Sequence, residues 1–290
     1  MTRVRPLLRA SIGRRAIRKP LRQRLCEVTG AAEVTRIETI QPLWNNYGTL
    51  SRVTLAGPGH RSVVVKHIMT PSEVSHPKGF TSYLSHERKL RSYQVEARWY
   101  QMHNIRVPST APTPRCLDVF KEKEELLLVL EDLTSLGFTT VLSSASMNEI
   151  TLVLRWLAAF HASFLGDEGD GLWPIGTYWH LDTRPEELEN ISGTRLHRFA
   201  SLIDGRLRHA RYKTLVHGDA KLANFCFTDA RDRVAGVDFQ YVGQGCAMKD
   251  VAYFLGSCLS GAQCEGMESE LLDIYFTALR SCLSHDIDAG

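Results

Sequence analysis

The stretch from Leu215 to Gln240, LVHGDAKLANFCFTDARDRVAGVDFQ, sets polar residues at the ends of short apolar runs. The first run, Thr214 to Val216, breaks at His217-Gly218-Asp219, and Asn224 follows five residues after that aspartate. A second run, Arg233 to Val237, delivers Asp238 fourteen residues beyond Asn224. Runs this short, punctuated by Gly and Asp, read as strands. An Asp, an Asn and an Asp so placed are what phosphoryl transfer requires. One carboxylate orients an attacking hydroxyl and takes its proton, while a neutral oxygen and a second carboxylate hold Mg²⁺ against nucleotide phosphates. Each piece also has a plainer reading: His-Gly-Asp is a turn, and an Asp closing an apolar strand is a cap. Their common order and spacing favour the catalytic reading, provided the rest of the chain supplies a nucleotide side.

A chain of 290 residues with 43% hydrophobic content can build one large domain or two lobes around a proper core. No run of eighteen apolar residues occurs, so no membrane span is expected. The seven cysteines show no C-x-x-C spacing; they read as small hydrophobes in a reducing, cytoplasmic setting, without a disulfide framework or zinc site. Residues 1–24 hold nine Lys or Arg and no acid, which leaves −6 of the total +3 on the other 266 residues. Three readings compete for this basic segment: a solvated helix on the small lobe, a disordered arm, or an Arg-rich organelle-targeting peptide. Sparse serine and the lack of a cleavage signal favour the first two. Nucleic acid is not an expected partner, because no aromatics interleave with these charges and the body is acidic. No protein partner is evident in the sequence.

A short helix, Leu21 to Gly30, is predicted to precede a meander of strands at Val34–Leu43, Ser51–Leu55 and Arg61–Ile68. The turn Asn45–Leu50, within NNYGTLSR, joins the first two; Asn46, Gly48 and the adjoining Ser51 are the candidates for meeting phosphate oxygens, with a single glycine to leave backbone amides uncovered. Lys66 lies in the last strand, SVVVKHI. It is either an edge lysine reaching solvent or the cation that grips nucleotide phosphates, which needs a glutamate from the following helix to hold it. The helix expected over Ser85–Met102 offers Glu87, explained by the macrodipole near its start, and Glu96, deeper in the apolar register.

A proline-rich connector, VPSTAPTP, separates this helix from strands Cys116–Phe120 and Leu126–Leu130, the second running into Glu131-Asp132-Leu133. A loop is expected over Thr134–Ser144, then a capping box, Ser146 to Glu149, opening an apolar helix to Phe164. His161 within it reads as a packed core residue. Residues 166–190 form an irregular stretch with Trp173, Tyr178, Trp179 and His180, either a substrate-side wall or a packed lid. Helices are predicted over Ile191–His209, Val251–Leu259 and Glu268–Leu283.

HGDAKLAN, VDFQ, VEARWY and LEDL together resemble the CHK kinase-like, or ecdysteroid-kinase-like, branch of the aminoglycoside phosphotransferase and choline-kinase superfamily. The resemblance covers about residues 34–283. It implies a two-lobe, protein-kinase-like α+β fold, with a nucleotide-binding lobe over residues 25–133 and a mainly helical lobe over 134–290. It also implies ATP and Mg²⁺ as cofactors and a small-molecule hydroxyl as acceptor. In its terms Asp219 is the base or orienter and Lys221 steadies the transferred phosphoryl group. Asn224 and Asp238 ligate the metal, and Lys66 held by Glu96 binds the α- and β-phosphates. Glu131 and Leu133 belong to the interlobe hinge that meets the adenine. Asp250 braces the catalytic loop and does no chemistry. Gly218 and Gln240 depart from the protein-kinase pattern, and no long activation segment follows Asp238. Two readings of other classes stay open: a nucleotide-binding pseudokinase without transfer, and an adaptor acting on membrane or nucleic acid through residues 1–24.

Overall fold

The computed structural model describes residues 19–69, 80–122, 124–178, 180–183 and 185–287. Residues 1–18 of the basic segment, and Trp179 of the aromatic stretch, lie outside the described residues.

Five strands form an antiparallel sheet: β1 (Glu33–Pro42), β2 (Gly48–Ala56), β3 (Ser62–Met69), β4 (Cys116–Glu122) and β5 (Glu125–Glu131), in the order β1-β2-β3-β5-β4. Side chains alternate along each strand, so the Val-rich run of β3 serves two faces. Val63 and Val65 join Val53, Leu127 and Val129 on one face, where Leu21 and Leu25 of helix α1 (Lys19–Thr29) cover them. Gly30, at φ 70°, ends that helix in the left-handed conformation expected of a glycine cap. Ile68, Leu128 and Leu130 turn to the other face and into the main core, and Lys66 shares their parity.

The turn expected over residues 45–50 is tighter than its sequence suggests. A 3₁₀ turn, Trp44–Asn46, with Asn45 at φ 52°, returns the chain to strand already at Gly48. A Cβ on Gly48 would lie 1.8 Å from the carbonyl oxygen of His67, so only glycine lets β2 start this close to β3. The helix expected at Ser85–Met102 is α2, Phe80–Arg98, followed by a π-helical turn, Trp99–His103. That turn carries the wholly buried Trp99 onto Phe239, with ring centroids 4.7 Å apart.

The second half is mainly helical. The capping box forms as predicted: Ser146 N–H donates to Glu149 at 2.5 Å and opens α3 (Met147–Ser163). The loop expected over 134–144 instead holds a 3₁₀ turn, Leu133–Leu136, and a strand, β6 (Phe138–Val141). β6 buries Phe138 and pairs with β8 (Phe225–Thr228), which pairs with β9 (Val234–Gly236). Between them in sequence, β7 (Thr214–Val216) pairs with β10 (Gly243–Gly245). Helix α4 (Pro185–Asn190) lies in the aromatic stretch. The helix expected from Ile191 begins later, as α5 (Arg195–Arg208), because the Thr194 hydroxyl caps it by accepting from His197 N–H at 3.2 Å. Helices α6 (Met248–Cys258) and α7 (Gly261–Ile287) pack with α3. The whole is a two-lobe, protein-kinase-like α+β fold. None of the seven cysteines is in a disulfide, and all are half-buried. Among the described residues no helix is long and apolar enough to cross a membrane.

Candidate active site

The loop after β7 is held from beneath. Asp250, at the start of α6, is buried and accepts from the His217 amide at 2.5 Å and the Gly218 amide at 2.9 Å. His161 Nε2 lies 3.1 Å from the same carboxylate, and His161 Nδ1 lies 2.9 Å from the Tyr275 hydroxyl of α7. Burial works to push the Asp250 carboxyl up, but His161 and the loop amides outweigh it and hold it below the ordinary range. His161 is thus fixed in the core. Gly218 adopts φ 80°, and a Cβ there would lie 2.1 Å from the Tyr241 carbonyl oxygen and 3.0 Å from Thr177 N. Gly218→Ala is therefore expected to destabilise the protein by about 2–4 kcal/mol, from left-handed strain near 1 kcal/mol plus overpacking. Urea unfolding of the variant measures the loss.

Asp219 comes out of this loop almost fully buried. Its Oδ2 accepts from Lys221 Nζ at 2.9 Å and from Asn224 Nδ2 at 3.0 Å, while its Oδ1 has no hydrogen-bond partner. Asn224 Nδ2 also donates to the Asp219 carbonyl oxygen at 2.8 Å, so both amide hydrogens face Asp219. The Val237 amide donates to the Asn224 carbonyl oxygen at 3.0 Å, which brings the end of β9 beside the loop. There Asp238 sits at φ 69°, a left-handed conformation costing about 1 kcal/mol outside glycine.

Asp238 Oδ1 accepts from Lys66 Nζ at 3.0 Å, and Lys66 reaches Glu96 Oε2 at 2.6 Å. Glu87 was the competing glutamate, and Glu96 is the one the structure brings to the lysine. Burial by itself would push Lys66 down, but Asp238 and Glu96 more than reverse this, and the ammonium is held above its ordinary range. Burial pushes Glu96 up, against the pull of Lys66. Asp238 is held well below the usual carboxylate range, because Lys66 and Gln240 overcome the effect of burial. About a third of its side chain, 34%, remains exposed to meet a ligand.

Two polar residues escaped the sequence reading. Lys89 Nζ, on α2, donates to Gln240 Oε1 at 2.5 Å, Ser92 Oγ donates to the same oxygen at 3.2 Å, and Gln240 Nε2 donates to Asp238 Oδ1. Gln240 thereby joins Lys66 on the same oxygen of Asp238 and helps fix its orientation. Lys89 and Ser92 stand three residues apart on one helix face, a spacing visible in the sequence, but their shared target, Gln240, 151 residues from Lys89, was not.

On the nucleotide side the expectations divide. Gly48 has its structural reason in β3, as above. Leu50 pairs with Lys66, whereas Ser51 pairs with Val65 and so turns to the face away from Lys66. The structure does not bring the Ser51 side chain to the site; strand parity decides this. The Asn46 side chain lies outside what is described. At the end of β5, Glu131 lies 3.6 Å from Arg115 Nε, and Leu133 is buried with Phe138 and Ala235. The residue between them does most of the anchoring. Asp132 accepts from Arg52 at 2.8 Å, from Ser62 at 2.7 Å and from the Thr134 amide at 3.1 Å, and these bonds outweigh burial to hold its carboxyl below the ordinary range.

Beyond Asp219 the walls are aromatic. Tyr178 meets Tyr241 edge-on at 5.1 Å, and the Tyr253 phenol is pushed up by burial and by the Asp219 charge. Arg88 donates to the carbonyls of Thr177 and Tyr178 and lies 4.7 Å from the centre of the Trp173 ring, pinning the aromatic stretch to α2. Among the described residues no three His, Cys, Asp or Glu side chains stand together as a metal centre. A divalent ion here would rest on Asp238 and the side-chain oxygen of Asn224, with the rest of its shell from phosphate and water. That division suits Mg²⁺, which uses one or two protein oxygens beside a nucleotide.

Phosphotransferases are among the solved structures of similar shape. The GDP complex of wild-type aminoglycoside 2'-phosphotransferase-IIIa matches with a TM-score of 0.51 at 11% identity, covering 90% of this chain and 86% of that one. An aminoglycoside phosphotransferase from Streptomyces rimosus, solved with ADP and streptomycin, matches with a TM-score of 0.47 at 15% identity over 85% of this chain and 91% of its own. At 11% identity the first of these likenesses speaks for the fold alone. No curated protein matches the sequence. The model of the ecdysteroid kinase-like family matches residues 55–165 and 176–285, which takes in the Lys66–Glu96 pair and the whole stretch from His217 to Gln240. The chain belongs to the ecdysteroid kinase-like family.

Proposed function

We infer that the protein transfers the γ-phosphoryl group of ATP to a hydroxyl of a small molecule. The observation that carries this reading is the convergence of Lys66, Glu96, Asp219, Asn224 and Asp238, drawn from four separate elements, within one chain of short contacts. Asp219 keeps one oxygen, Oδ1, without a partner, as a group that must accept a hydroxyl proton requires. Lys221, 2.9 Å from Asp219 and partly exposed, is placed to swing its charge onto the phosphoryl group in transit. Lys66 binds the α- and β-phosphates, with Glu96 keeping its ammonium in place. Asn224 and Asp238 hold Mg²⁺, which supplies charge neutralisation at the phosphates. The hinge at residues 131–133, fixed by Asp132, divides a nucleotide lobe from a substrate lobe and meets the adenine through Glu131 and Leu133. The amides around Asn46 and Gly48 cover the phosphates.

A pseudokinase that binds nucleotide without transfer fits less well, because Asp219 with an unpartnered buried oxygen has no use in a pure binder. A panel of hydroxylated small molecules, scored for Mg²⁺-dependent ADP release and phosphorylated product, tests the assignment. With any accepted acceptor, Asp238→Ala is expected to lower turnover at least about a hundredfold while circular dichroism stays that of the parent. Wild-type turnover in that variant would refute the metal role.

A further inference from the structure

Helix α5 is built inside out. Of its fourteen residues only Ala200 is buried. Leu196, Phe199, Leu202 and Ile203 are 58%, 44%, 51% and 44% exposed, and nearby Tyr212 is 66% exposed. At 100° per residue the four helical side chains fall within an arc of about 120°, an apolar stripe that faces away from the body. Arg195 and Arg206 share that arc, Arg198 borders it, and Arg195 lies 6.0 Å from the centre of the Phe199 ring. Residues 195–213 carry six Lys or Arg against the single acid Asp204, a local charge of +5 within a body of −6. Arg208 ties the helix down through Asp182 at 2.5 Å, and pairs along the helix with Asp204, also at 2.5 Å. Short amphipathic helices owe most of their stability to whatever covers their apolar face, and the body covers little of this one.

We propose that α5 docks this protein onto the surface of a bilayer containing anionic lipid, with Leu196, Phe199, Leu202 and Ile203 entering the headgroup–acyl boundary and the flanking arginines meeting lipid phosphates. Charge decides against the other occupants. A second copy would set +5 against +5, and the chain's own residues 1–18, with six arginines and no acid, are of the same sign. A nucleic acid offers nothing to four outward aliphatic and aromatic side chains. A peptide that engulfs a basic helix needs all its sides, whereas α5, fixed by Arg208, presents one. The proposal is independent of the phosphoryl-transfer reading.

The test is sedimentation of the full chain with phosphatidylcholine vesicles, with and without phosphatidylserine. Binding is expected only with phosphatidylserine and is expected to weaken at high salt. Leu196→Ser/Phe199→Ser/Leu202→Ser should lower the bound fraction about tenfold or more, with circular dichroism unchanged, since these side chains already face solvent. Phe199→Trp should shift its emission to the blue on anionic vesicles and not on neutral ones. The proposal falls if the full chain stays in the supernatant. It also falls if the triple variant binds as well as the parent, which would assign binding to residues 1–18. Sedimentation velocity showing a dimer dispersed by the triple variant would overturn it in favour of self-association.

Discussion

Asp219→Asn is expected to reduce transfer to an accepted acceptor by about a hundredfold to ten-thousandfold, the range of a lost general base, while Mg²⁺-ATP still binds. The substitution keeps the shape and removes the charge. Lys221 keeps an oxygen at 2.9 Å but loses the negative charge opposite its ammonium, and the oxygen that had no partner becomes an amide nitrogen unable to take a proton. Asn224 can still donate to the remaining carbonyl, so stability should change by no more than about 1 kcal/mol. Single-turnover rates with nucleotide affinity measured alongside separate chemistry from binding. Unchanged turnover would remove Asp219 from the reaction. A parent protein that binds Mg²⁺-ATP tightly yet transfers to none of a broad acceptor panel would return the pseudokinase reading.

Lys66→Met carries the second large effect, and this one falls on stability as well as on nucleotide binding. Lys66 is buried between two carboxylates, at 2.6 Å from Glu96 and 3.0 Å from Asp238. Taking the cation away leaves Glu96, also buried, without compensation, and breaking such a pair costs about 3–5 kcal/mol. Burial already pushes Glu96 up, and without Lys66 it rises further. A carboxyl whose folded pKa stands above its unfolded one favours the folded state at low pH and loses that advantage as pH rises through the folded value. The variant should therefore lose stability from mildly acid to neutral pH more steeply than the parent. Lys66→Met/Glu96→Gln should recover much of the loss without restoring Mg²⁺-ATP affinity. Urea unfolding across pH, with calorimetric titration of nucleotide, reads both halves.

The sequence was most legible where chemistry imposes residue types at short range. His217 to Asp219, Asn224 and Asp238 declare themselves by spacing, and the Val-rich strand around Lys66 by composition. The capping box at Ser146 is a four-residue signal and forms as expected. What lay hidden depends on pairing across distance. The Ser51 side chain faces away from Lys66 because β2 pairs with β3 in one register and not in the neighbouring one, and nothing local to Ser51 announces that parity. β6, with the sequence FTTV, looks like loop until β8 gives Phe138 a place to bury. The buried Tyr47 hydroxyl against His86, and Lys89 against Gln240, join elements far apart in the chain. Most hidden of all was α5, whose amphipathic pattern is plain in the sequence but whose apolar side would ordinarily be assumed to face inward.

Lys66, Lys89 and Lys221 stand among Glu96, Asp219 and Asp238, three ammonium groups to three carboxylates within one mesh of contacts. Before any ligand arrives the ledger of charge already sums to zero. On the proposed function, a nucleotide entering with its metal ion would find no reservoir of attraction, only partners that can be traded: Lys66 from carboxylate to phosphate, Asp238 from ammonium to metal. Such an exchange leaves little long-range field to be screened. On that same reading, nucleotide capture would be an affair of contact, governed by how readily Lys66 and Lys221 change allegiance and barely by the ionic strength around them.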